Sequence, residues 1–170
     1  MSLARQQKLL LKSLDEYTRL LNLVSEEEFQ QSPENGGWSY SEVFSHIFQS
    51  NLGSLIAAER CITGKGDPNA GRTLWQARAI LFFGRFPPGK IKAPERIEAM
   101  VTKISKEQAG KLMDKFKTRL PQILTQLEHS PQNQKIKHPR LGFLNARQWF
   151  RFIQIHTQHH EKQLQRIRTF

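Results

Sequence analysis

Three of the six histidines fall inside one short segment, IHTQHH, as His156, His159 and His160. Imidazole titrates near neutral pH and is the commonest metal-ligating side chain. On a helix, His156 and His160 are four residues apart, so both point the same way, about 6 Å apart along the axis. That spacing can offer two ring nitrogens to one cation. His159 is turned toward the rim or the solvent, although a His156/His159 pair, three residues apart, stays open as an alternative. A third ligand would have to come from elsewhere, and His46 is the candidate. Val43, His46, Ser50, Gly53 and Ala57 share one helical face, and its small residues would let another helix approach. Three neutral imidazoles around a divalent cation leave a position free for water or substrate, the pattern of catalytic rather than structural sites. The competing reading is that these are hydrogen-bonded core histidines. Two in register on an apolar stripe strain that reading, because each needs a polar partner among hydrocarbon.

The elements that must position these rings are helical. Leucines at 3, 10, 14, 20 and 21 recur near helical spacing and predict a first helix over 3–23. SEEEFQQSPENGG then reads as an acidic loop. Ser39 with Glu42 forms a capping box that opens a helix running to about Thr63, where GKGDPNAG breaks it. A shorter helix is expected over about 72–83, followed by a proline-rich connection, GRFPPGKIKAPER. Ser105 with Gln108 opens a helix over about 105–128, whose apolar spacing continues past Pro121 and predicts a kink rather than an end. HSPQNQKIKHPRLGFL reads as a loop, and Asn145 with Gln148 caps a last helix over about 145–168. On that helix Trp149, Ile153, His156, His160, Leu164 and Ile167 make one core-facing stripe. Four long helices, one short one and no alternating strand pattern predict an all-α four-helix bundle with long connections.

Composition bounds the function. At 170 residues and 38% apolar content the chain is expected to form one domain over 1–170. The longest apolar run, AILFF, is too short to span a bilayer, and the start of the chain lacks the apolar core of a signal peptide. A single cysteine, Cys61, excludes an internal disulfide and favours a reducing cytoplasm. The net charge is +11 and uneven: residues 1–60 carry five Lys/Arg against eight Asp/Glu, and residues 61–170 carry twenty-one against seven. Such a surface attracts anions, but no nucleic-acid-reading motif accompanies it.

Three segments carry a resemblance. GGWSYSEVFSHI, GKIKAPER and KHPRLGFLNARQWFRFIQIHTQHHEKQLQRI resemble, in order and spacing, segments of the DinB-like (DinB/YfiT) superfamily, over roughly residues 5–168. The resemblance implies a four-helix bundle with one divalent metal, its ligands falling on His46, His156 and His160. It also implies nickel, zinc or a similar ion such as iron, frequent homodimers, and relatives that include thiol-dependent S-transferases. The sequence departs from the family at Gln49, where relatives often carry Asp, and at Asn51, where some carry His.

A cation at such a site lowers the pKa of water and deprotonates a thiol. The resulting expectation is a metal-dependent transferase of a low-molecular-weight, anionic thiol, or a hydrolase. The alternative is a non-enzymatic bundle whose basic surface holds an anionic partner. No general base stands out, since Thr157 follows His156 where zinc proteases have Glu. Glu42 is one turn from His46 but is explained by capping. Gln49 and Gln163 could support the histidines. Cys61 lies about 22 Å beyond His46 on a straight helix and reads as a small, partly buried residue. His138 fits a structural His-Pro loop, His129 a helix end, and Trp38, Trp75 and Trp149 core or loop anchors.

Overall fold

In the computed structural model, which describes residues 1–34, 36–87 and 101–168, four long helices form the bundle: α1 (Leu3–Leu23), α3 (Tyr40–Ile62), α5 (Lys106–Leu127) and α6 (Ala146–Arg168). Two short helices, α2 (Glu26–Gln30) and α4 (Trp75–Phe83), and an antiparallel hairpin, β1 (Ile136–His138) with β2 (Gly142–Leu144), complete the described elements. Much of the GRFPPGKIKAPER connection lies outside the described residues. No helix among the described residues is long and apolar enough to cross a membrane.

The helix starts follow local chemistry. Ser39 and Glu42 close a capping box on α3, and Ser105 and Gln108 close one on α5. At α6 the Asn145 and Gln148 side chains each accept from the other's backbone N–H at 3.0 Å. These exchanges satisfy N–H groups that have no intrahelical partner. α5 continues through Pro121 as one helix.

α3 lies centrally, packed against α6 and α5, while α1 covers α6. Tyr17 of α1 meets Phe44 and Phe48 of α3 edge-on, at ring distances of 5.2 and 5.4 Å. Its hydroxyl donates to the Thr157 carbonyl of α6 at 3.1 Å. Beside it, the buried Asn51 amide of α3 donates to Thr157 Oγ1 at 2.9 Å, and that hydroxyl donates to the Ile153 carbonyl at 2.7 Å. Buried polar links of this kind have narrow geometry, so they fix how α3 and α6 are set against each other next to His156.

Three expectations change. The acidic loop contains α2, which Ser25 caps by accepting from the Glu28 N–H at 3.1 Å. The Glu26 carboxylate then accepts the Lys106 N–H that opens α5, at 3.1 Å. The loop ahead of α6 contains the hairpin, and its turn closes on His138, whose Nδ1 accepts the Arg140 and Leu141 N–H groups at 3.1 and 3.2 Å. Gly142 is required there: its φ is +76°, and a Cβ would stand 3.0 Å from the Arg72 carbonyl. Gly53 is exposed with open space around it, so it does not admit a neighbouring helix as the small-residue face suggested.

Thr157→Val removes the hydroxyl while keeping the shape, stranding the buried Asn51 amide. It is expected to cost about 1–3 kcal/mol in a denaturant titration. Asn51→Leu combined with it is expected to cost less than the two single changes added. A neutral single variant would show that these bonds do not hold the helix pair.

Candidate metal centre

α6 supplies two histidines and α3 the third. His46 Nε2 lies 3.2 Å from His156 Nε2, and His160 Nε2 lies 3.1 Å from His156 Nε2. One ring nitrogen from each of the three histidines lies within 4.8 Å of the other two. His156 and His160 are buried and His46 is half-buried, on the more open side. His159 is exposed, one residue away and turned outward. The rings selected from the two helical stripes therefore meet.

Aromatic side chains fix the ring planes. Phe152, one turn before His156, stacks on it at 5.0 Å and 17°. Trp38, just ahead of the α3 cap, lies 5.0 Å from the His46 ring and nearly parallel to His160. Phe86 contacts His159 edge-on at 4.9 Å and stands 6.3 Å from His156. Sequence marks Trp38 only as a core or loop anchor, and Phe86 carries no local sequence signal. Gln163 proves to be a partner of the cluster: its Oε1 lies 2.8 Å from His160 Nδ1. An amide oxygen can only accept, so His160 carries its proton on Nδ1 and turns the Nε2 lone pair inward.

Burial sets the charge state. It pushes the pKa of His46 down to about 4 and that of His160 to about 3, with His159 adding to both and His46 to His160. His156 falls well below the ordinary value for the same reason, helped by repulsion from His160 and His46. All three are neutral at pH 7, the form in which imidazole binds a metal. Nitrogens about 2.0–2.1 Å from a shared ion stand about 2.9–3.4 Å apart at right-angle to tetrahedral geometry. The two pairs that include His156, at 3.2 and 3.1 Å, fall in that interval, and the His46 and His160 nitrogens lie within 4.8 Å of each other, so a small inward turn of these two rings would let the trio hold a divalent cation. Neutral rings facing one another nitrogen to nitrogen are otherwise short of donors. His156 Nδ1 is buried and has no hydrogen-bond partner among the described residues.

The remaining candidates separate from this cluster. Glu42 is spent on the α3 cap, accepting from the Ser39 N–H and hydroxyl at 2.8 Å each. Gln49 is exposed and bonds Ser45. Cys61 is fully buried, not partly, and donates to the Leu144 carbonyl; burial pushes its thiol up to about 11, which removes it as a nucleophile. His138 meets Phe152 edge-on at 4.6 Å and Trp149 at a tilt at 5.0 Å, and so backs Phe152. Trp149 is core, but Trp75 is 74% exposed and lies outside the core of the described residues.

These shifts predict a pH dependence for metal-free protein. His46, His138 and His160 titrate near 4, 4 and 3 in the fold, against an ordinary 6.5. Between those values the unfolded chain binds more protons than the folded one. Their contribution to stability is therefore complete above about pH 6.5 and drains as pH falls toward 4. Urea titrations after chelator treatment should show a lower unfolding free energy at pH 5 than at pH 7. An unfolding free energy at pH 5 equal to or above that at pH 7 would mean the imidazoles are solvated.

A sequence model of the DinB superfamily matches residues 9–164. The fold is similar to that of TT2238, described as a four-helix bundle protein. The TM-score is 0.61 at 18% identity, over 96% of this chain and 98% of that one. It is also similar to YfiT from Bacillus subtilis, described as a probable metal-dependent hydrolase with an unusual four-helix bundle topology. There the TM-score is 0.63 at 14% identity, over 99% of this chain and 89% of that one. For the mycothiol-dependent maleylpyruvate isomerase the TM-score is 0.54 at 17% identity, over 91% of this chain but 58% of that one. At these identities the likeness shows the fold alone. No protein of curated function matches significantly. The matched span runs from α1 through the His156–His160 pair to the last turns of α6, and the chain belongs to the DinB superfamily.

Proposed function

We propose that His46, His156 and His160 bind one divalent metal ion, zinc, nickel or iron, and that the protein is a metal-dependent enzyme acting on a small molecule. The transfer of a low-molecular-weight thiol is the favoured reaction and hydrolysis the second. The observation that carries this reading is the convergence of three neutral ring nitrogens with no carboxylate in the group. A bound divalent cation keeps its full +2 charge there and would acidify a thiol or a water that reaches it.

The chain's own residues have definable parts in this. Gln163 holds the proton on His160 Nδ1, and Phe152 holds the His156 ring. Trp38 and Phe86 wall the centre with hydrocarbon, which keeps water from competing and strengthens electrostatics inside. The half-buried His46 side is the route of entry. The excess positive charge beyond residue 60 would draw an anionic thiol toward it. The thiol reading also has support from one fold neighbour, described as mycothiol-dependent, and the hydrolase reading from another, described as a probable metal-dependent hydrolase.

Protein purified without a nickel column is expected to carry one equivalent of metal by elemental analysis. His156→Ala with His160→Ala should lose it while keeping a helical far-UV spectrum. Gln163→Leu should weaken metal affinity about 10–100-fold. In a panel of thiols and electrophiles, turnover should vanish on chelation and return with metal. Metal retained by the double variant, or turnover indifferent to chelation, would refute the proposal.

A further inference from the structure

A broad, open depression lies on another side of α6. Arg147 and Arg151 stand nine and five residues before His156, which at about 100° per residue turns them away from the histidines. With Arg78 of α4 they line a cleft of about 400 Å³, within the size range of small-molecule sites. Leu81 and the exposed Phe82 form its apolar wall. Among the described residues no carboxylate lines it, and none of the three guanidiniums is in an ion pair. The other lining groups are amides bonded within the fold: Asn145 donates its side-chain amide to Gln132 Oε1 and its backbone N–H to Gln148 Oε1, both at 3.0 Å.

Arg151 is the informative member. Arg151 is half-buried; its Nε donates to the Leu81 carbonyl at 3.1 Å, and its Nη1 donates to Gln154 Oε1 and to the Met1 sulfur at 3.8 Å. All three acceptors are neutral, and burial pushes its pKa down. A partly desolvated charge without a counter-charge is costly, which makes an anion the missing complement. Arg147 is held in advance as well, by the Leu127 and Glu128 carbonyls at the end of α5. The Arg78 side chain makes no hydrogen bond or ion pair among the described residues and is available to a ligand.

We propose that this cleft binds a small organic anion with a carboxylate or phosphate group and an apolar portion that rests on Phe82. Guanidinium forks match both oxyanions in two-point geometry. Donors already fixed by the fold lose little freedom on binding. The site is separate from the histidine centre and does not depend on it.

The test is NMR titration of the full chain with phenyl phosphate and, in parallel, phenylsuccinate, with inorganic phosphate as the reference lacking a ring. Saturable shifts at Arg78, Arg151 and Phe82 are expected with at least one aromatic probe, whichever oxyanion it carries, and tighter binding than inorganic phosphate. Arg78→Gln, whose side chain supports nothing in the fold, should weaken binding about tenfold, and Arg151→Gln at least as much. Metal content at the histidines should not change. Three results would overturn the proposal: no saturable shift with either aromatic probe by about 10 mM, undiminished affinity in Arg78→Gln, or shifts centred on the lysines of α5 as general charge attraction would give.

Discussion

Three imidazoles drawn together at one point, two of them buried and the third half-buried, are the constraint on which this structure turns. Charged, they would repel one another across 3.1 and 3.2 Å. Neutral, they face each other nitrogen to nitrogen with too few protons to satisfy every lone pair. The fold resists relaxing this by separating the helices. Thr157, next to His156, takes a hydrogen bond from Asn51 of α3 on its hydroxyl and one from Tyr17 of α1 on its carbonyl. The same buried turn of α6 thus sets the bundle and aims the ring.

α1 was legible from its leucine spacing, and the other three long helices because each starts with chemistry that sequence displays. Ser39 with Glu42, Ser105 with Gln108 and Asn145 with Gln148 all close as capping pairs. The histidine convergence was legible because a four-residue step on a core stripe leaves little choice of direction. α2 was missed although Ser25 and Glu28 carry a capping signal, because five residues give no periodicity to count. The hairpin was missed because three-residue strands are too short to show alternation; its register rests on Gly142 and the His138 turn. Trp38 and Phe86 reach the site from separate segments, and nothing local in sequence records that. Trp75 is exposed rather than core, which its residue type alone does not reveal.

Charge links the centre to the rest of the molecule. With histidine ligands alone, a bound divalent cation would remain uncompensated, and the chain beyond residue 60 adds an excess of basic residues. Both features favour an anionic or readily ionised ligand. The arginine cleft repeats the theme with a different donor. Guanidinium fixes oxyanions by shape, whereas neutral imidazole with a cation acts on the acidity of what it holds. Binding and activation would thus rest on different faces of α6.

X-ray absorption at the metal edge of zinc-loaded protein addresses the central claim most directly. Three imidazole nitrogens at about 2.0–2.1 Å, with light-atom scattering from any further ligand, are the result the account predicts. A first shell built from sulfur or carboxylate oxygen, or one holding fewer than three imidazoles, would contradict it.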